Sequence, residues 1–169
     1  MRKHSCAGHV RRAHALAISV VAVLSGLFVG VPPAAAADLD VTLPAGTACP
    51  GFALHIVGSG GNYATRSFVN GRTVSAGTGF ALEFTNVSTG ETFTTKSNGA
   101  AQQRITNPDG TETVMSVGHH VIFLFPSDTP AGPSTTLIVG RIVYDVDEFG
   151  NFTVRSVKGK TTDICALLS

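Results

Sequence analysis

The sequence predicts an all-β fold: a single antiparallel meander closing as a β-barrel, with a β-sandwich as the alternative architecture. Three observations predict it. The first is a pair of apolar runs, His119–Phe125 and Thr135–Val146, separated by a loop carrying Pro126, Pro130 and Pro133. In both runs the apolar residues fall on both faces and are mostly β-branched or aromatic, the pattern of strands buried on both sides. The second is punctuation: after Ala37 turn signals recur at about ten-residue spacing, with no convincing helical periodicity between them. The third is the placement of Cys49 and Cys165, near the two ends of the chain that follows the leader. A bridge between them would set the first and last strands side by side, and a meander whose ends meet is an up-and-down barrel. A sandwich with adjacent terminal strands satisfies the same facts.

The elements follow in order. Leu39–Thr42 reads as a short edge strand before Pro44. Phe52–Val57 alternates, with Phe52, Leu54 and Ile56 on one face. Gly58-Ser59-Gly60-Gly61 reads as a flexible loop into Tyr63–Val69, and Asn70-Gly71 is the strongest two-residue hairpin signal in the chain. Arg72–Ala76 returns. Phe80–Val87 places Phe80, Leu82 and Phe84 on one face and Ala81, Glu83 and Thr85 on the other. Glu91–Lys96 and Ala101–Asn107 flank a turn at Ser97-Asn98-Gly99. Pro108-Asp109-Gly110 is a turn by mechanism, since Pro presets one φ and Gly supplies a positive one. Thr111–Val117 leads through Gly118, a candidate β-bulge, into the first apolar run. Beyond Val146, Asp147–Asn151 turns into Phe152–Val157, and Thr161–Leu168 closes the meander as a last strand.

The first 37 residues read as a secretory leader. Arg2, Lys3, Arg11 and Arg12 form a basic n-region, Ala15–Gly30 an apolar segment, and Ala34–Ala37 an A-x-A cleavage site. Cleavage after Ala37 leaves a single domain, Asp38–Ser169, of 169 − 37 = 132 residues. The leader carries four of the 12 Lys+Arg and none of the 11 Asp+Glu, so the remaining balance is 8 − 11 = −3. With no basic patch, nucleic acid is excluded as a partner. No membrane association is expected once the leader is removed. The reading places the protein outside the cell or in the wall space. Cys6 leaves with the leader, and in an oxidising compartment Cys49 and Cys165 are expected to pair.

Few residues point to chemistry. Asp145, Asp147 and Glu148 lie before Gly150, but a calcium loop would need a ligand where Phe149 stands, and its distal Glu is missing. The expectation is a hairpin tip with solvated acids. His55, His119 and His120 are the only histidines after the leader; His119 and His120, adjacent on a strand, point to opposite faces and do not share a metal without a distortion at Gly118. Gly58–Gly61 lacks the helix and the Lys-Ser/Thr of a phosphate cradle. Serine catalysis has no G-x-S-x-G elbow. Glu83, Glu91 and Glu112 read as ordinary outward carboxylates. The absence of Trp, with Tyr63 and Tyr144 as the only tyrosines, disfavours a carbohydrate platform. Asn86-Val87-Ser88 and Asn151-Phe152-Thr153 match the glycosylation sequon. No catalytic, cofactor-binding or metal residue is assigned, and no cofactor is expected.

Five stretches carry a resemblance: TACPGF around Cys49, KSNG from Lys96, NPDGTETV from Asn107, FPSDTPAGPSTTLIVGRIVY from Phe125, and GKTTDICALLS at the end. Together they make nearly all of Asp38–Ser169 resemble a group of small secreted hypothetical proteins of high-GC Gram-positive bacteria. These stretches are turns, core and cysteines. The resemblance therefore implies fold and export, and it implies no catalytic residue. The function expected is that of a secreted, disulfide-stapled, non-enzymatic domain that binds an extracellular partner or ligand. A small-molecule carrier using a barrel cavity is one alternative. An enzyme with a cryptic histidine or carboxylate site is the other.

Overall fold

A computed structural model describes residues 39–95 and 99–169; the leader and Ser97-Asn98 lie outside these. Eight strands make one antiparallel sheet: β1 (Leu39–Leu43), β2 (Leu54–Ser67), β3 (Arg72–Asn86), β4 (Thr92–Thr95), β5 (Gly99–Thr106), β6 (Glu112–Leu124), β7 (Ser134–Val146) and β8 (Phe152–Asp163). The order is β1-β2-β3-β5-β6-β7-β8, with β4 also on β3. Thr95 stands opposite Leu82 and Gly99 opposite Thr78, so β4 and β5 follow one line along β3 in a single register. Apart from β5, which continues the line of β4 along β3, each strand pairs with its predecessor, as short connections favour.

Two expected loops are strand. β2 runs straight through Gly58–Gly61, and β3 through Gly77–Gly79, with the same register on either side: Leu54 faces Asn86 and Ser67 faces Thr73. The glycines are there for close approach, since a Cβ on Gly77 would lie 1.9 Å from the Asn62 carbonyl oxygen. Gly118 is likewise no bulge, because the β6–β7 register is unbroken from Glu112–Val146 to Leu124–Ser134. The irregularity lies in β8, between the Val143–Ser156 and Tyr144–Val154 pairs, and leaves Arg155 as the extra residue.

A line of small residues crosses the sheet. Tyr63 faces Gly77, Gly77 faces Ala100, Ala100 faces Gly118, Gly118 faces Gly140 and Gly140 faces Gly159. Gly140 and Gly159 have φ of +152° and +126°. A Cβ on Gly140 would come within 2.1 Å of the Lys158 carbonyl oxygen, and one on Gly159 within 2.3 Å of that of Val139. Such a glycine row is how a sheet bends sharply. It divides the sheet into an upper part, holding β1 and β4, and a lower part, holding β5.

Above the row the sheet forks. β5 keeps β6 paired with the rest of the sheet only as far as the Ala100–Gly118 pair. Beyond it, β4 pairs with β3 alone and β6 with β7 alone. The two leaves close on each other around Leu54, Ile56, Phe84, Ile164 and Leu168, with Val121, Phe123 and Leu137 of the second leaf packed against them. Each fully buried side chain of this size stabilises by roughly 1.5–3 kcal/mol. The opposite face of β6 and β7 is buried too: Ile122, Leu124 and Ile138 join Ile142, from below the glycine row, with Tyr144, Phe152 and Val154 against them. The two-faced burial expected of the apolar runs therefore holds.

The barrel does not form. Among the described strands β1 pairs with β2 only and β8 with β7 only, so the sheet is open. The Cys49–Cys165 disulfide is present, with Cα atoms 5.5 Å apart. It joins neither terminal strand. Cys49 lies in the loop between β1 and β2, and Cys165 in a helical turn, α1 (Ile164–Leu167), where a strand was expected. Asp163 caps that turn by accepting from the Ala166 N–H at 3.0 Å. Two buried polar side chains fix the same corner. Thr135 donates to the Ala48 carbonyl at 2.9 Å, and the Asn86 amide donates to that of Leu168 at 2.8 Å. A bridge between loop and helix brings the chain ends together without hydrogen-bonding β1 to β8.

Candidate functional site

The fork is where the fold leaves space. Three cavities of about 240, 230 and 250 Å³ meet there, and His120 lines all three. The first opens between the leaves, against Phe80, Leu82, Thr95 and Phe123. The second lies over the other face of β6 and β7, beneath Phe125, with Ile142, Tyr144 and Phe152. The third runs onto the lower sheet past Tyr63, Ser75 and Gln102. Among the described residues, none that lines them is Asp, Glu, Lys or Arg.

The position of His120 follows from the register. It is two residues past Gly118, the last β6 residue paired with β5, so it stands at the point where the leaves part. Its ring is hydrogen-bonded to the Val117 carbonyl, while Nε2 is buried and has no partner. The bond to Val117 is thus made by Nδ1, which donates, and Nε2 carries the free lone pair. Burial of the ring pulls its pKa below the usual 6.5; the Val117 bond opposes this and neighbouring His119 adds to it. Around it, the Gln102 amide donates to the Ser116 hydroxyl at 3.2 Å. Burial pushes the Tyr144 phenol above its usual 10.0, with Arg104 opposing and Glu112 reinforcing.

Phe125 and Phe152, both of which line the second cavity, are held through their backbones by Asp128 of the proline loop. This carboxylate, 6% exposed, accepts from the Phe125 N–H through Oδ2 at 2.6 Å and from the Phe152 N–H through Oδ1 at 2.7 Å. Thr129 then pairs with β8 as a one-residue parallel bridge. Its N–H donates to the Phe152 carbonyl and its carbonyl accepts from the Val154 N–H, both at 2.7 Å. No motif signals this role for Asp128, which sits between Pro126 and Pro130 in a turn-like stretch.

The structure separates the other residues singled out by sequence. His55 lies on β2 near the sheet edge, its Nε2 2.8 Å from Asp40 of β1. His119 lines the first cavity with His120. Asp147 closes its own turn, accepting from the N–H groups of Phe149 and Asn151 and from the Asn151 amide. These bonds, the side-chain amide first, hold its pKa below the ordinary value. Asp145 accepts from the Thr113 hydroxyl at 2.8 Å and pairs with Arg155 at 2.6 Å, and its pKa is also lowered, chiefly by Thr113. Glu112 pairs with Arg104, and Glu83 and Glu91 are exposed. Among the described residues no three His, Cys, Asp or Glu side chains gather as metal ligands. Both sequon asparagines are engaged: Asn86 is 2% exposed and bonded to Leu168, and the Asn151 amide is bonded to Asp147.

Chemically, the fork offers an uncharged, aromatic-walled space with one unmet hydrogen-bond acceptor. The imidazole has no carboxylate to orient it and no hydroxyl or thiol bonded to it, as a nucleophilic dyad would require. No protein-family profile, curated protein or solved structure matches the chain.

Proposed function

We propose that this is an exported, non-enzymatic binding protein whose ligand is a small, largely apolar molecule seated at the fork around His120. The observation that carries the reading is that one side chain, His120, lines three cavities among whose described residues none is Asp, Glu, Lys or Arg. Small-molecule sites are concave, mostly apolar and furnished with few polar groups. A binding space formed by a fork takes the place of the barrel lumen. Export is supported by the leader, by the likeness to secreted proteins of high-GC Gram-positive bacteria, and by a disulfide suited to an oxidising space. Among the described residues no helix is long and apolar enough to cross a membrane.

Native mass spectrometry of the protein recovered from culture medium tests both parts. The expected species begins at Asp38 and carries a small-molecule adduct that is lost on denaturation. Recovery only in the membrane fraction with Met1 intact would overturn export. A protein that carries no adduct, and takes up none from extracts of the medium, would overturn the binding reading.

A further inference from the structure

Resting on that reading, we infer that the ligand is a neutral ring compound bearing a hydroxyl or N–H donor, and that His120 Nε2 is the acceptor that recognises it. Three features lead there. The unmet atom is the only buried side-chain nitrogen or oxygen among the described residues without a hydrogen-bond partner. A buried acceptor without a partner forfeits the hydrogen bond it makes in water, so its persistence calls for an explanation, and a ligand that restores the bond supplies one. The Val117 carbonyl fixes which ring nitrogen donates, and this leaves Nε2 as an acceptor for a donor and not a donor for an anion.

The second feature is the absence of charge. A ligand carrying a carboxylate, phosphate or ammonium would be desolvated with no opposite charge among the cavity residues. The third is the wall. Tyr63, Phe80 and Phe123 wall the first cavity, and Phe123, Phe125, Tyr144 and Phe152 the second, where Tyr144 and Phe152 stand with ring centroids 4.8 Å apart. Such walls favour a flat ring in offset or tilted contact over a flexible chain. Each cavity, at 230–250 Å³, admits one or two fused rings. Nε2 has almost no accessible surface as the ring is placed, so a donor reaches it through a small tilt of the imidazole toward one of the cavities that the ring lines. A site that hydrogen-bonds its ligand discriminates strongly against the analogue lacking the group, because the site's polar atom is then left bare.

Two probes of the same shape separate the possibilities: 2-naphthol, which carries a donor, and naphthalene, which does not. Each is titrated into the disulfide-intact exported protein at pH 7.5, followed by fluorescence and by the ¹⁵N resonances of the histidine rings. The expected result is about tenfold tighter binding of 2-naphthol, near the worth of one buried hydrogen bond. Its binding should also shift the His120 Nε2 resonance, which naphthalene leaves in place. In His120→Phe the preference should fall to about one, and in His120→Gln, which retains an acceptor, it should persist in part. The wild-type resonance decides the matter even if a variant does not fold. Equal affinities with an unmoved Nε2 would overturn this inference and leave the binding function standing. Saturable binding of neither probe would overturn both.

Discussion

Asp128 holds the backbone N–H of Phe152 through Oδ1 at 2.7 Å, across 24 residues of chain. The same carboxylate, through Oδ2, holds the N–H of Phe125. One buried side chain therefore ties the loop after β6 to the start of β8 and fixes the backbone of two residues, Phe125 and Phe152, that line the second cavity. Replacing it with Ala leaves two backbone donors without partners. Asp128→Ala is expected to lower stability by roughly 2–5 kcal/mol, since hydrogen bonds to charged groups are worth about 1.5–3 kcal/mol each. Urea unfolding measures this. A loss under about 1 kcal/mol would show that the loop is held by other contacts.

The disulfide gives a second prediction. Cys49 and Cys165 are 116 residues apart in sequence, so their bridge restricts the unfolded chain strongly. Cys165→Ser is expected to cost about 2–5 kcal/mol. Alkylation of the unreduced native protein followed by intact-mass measurement should find no labelled thiol; two labels would remove the bridge.

Glycine placement separates two classes of substitution. Gly77→Ala drives a methyl into the Asn62 carbonyl at 1.9 Å, backbone against backbone, with no flexible side chain to yield. It is expected to destabilise by at least about 3 kcal/mol, in the range of core disruptions. Gly110→Ala, with open space around it but φ of +85°, meets only local backbone strain of about 1–2 kcal/mol. Thermal melts of the two variants should rank in that order, and the reverse ranking would show that the sheet is not creased at Gly77.

The pH dependence of stability follows from His120. Burial lowers its folded pKa, so the unfolded chain takes up the proton first as pH falls. Stability should therefore drop as pH falls below about 6.5, the value of a free imidazole, and level off below the depressed folded value. His119 beside it reinforces the shift. His120→Phe should flatten the curve between pH 5 and 7 relative to wild type. An unchanged slope would show that burial of His120 does not set it.

Much of the sheet was legible because the chain alternates locally. Phe80, Leu82 and Phe84 share a face in the sequence and in the sheet. His119–Leu124 reads as buried on both faces and is. The breaks in strands were misread because glycine has two meanings: Gly58–Gly61 looked like a loop, whereas glycine here permits strands to pass closely and bend. Closure was misread because cysteine spacing reports that two segments meet and not what secondary structure they carry. Tyr63, Gln102 and His120 are far apart in sequence and meet through register alone, so no motif announced them. Gly118 was read as a candidate bulge; it is instead the last β6 residue paired with β5, a change of partner that leaves no mark in the sequence.

The bridge also decides how the molecule responds to being pulled. Tension applied at Leu39 and Ser169 reaches Cys49 and Cys165 after a few residues and then runs through a covalent bond. β2 to β8 all lie inside the closed loop and carry none of the load, while β1 lies outside it. β1, only five residues long and paired on one side, would peel from β2 one hydrogen-bonded pair at a time at low force. The glycine row and the fork would stay intact under a pull that extends the ends, and only reduction of the bridge would expose them to it. Under such a pull the protein would keep the second and third cavities, while the first would lose Leu39, the wall residue that β1 supplies.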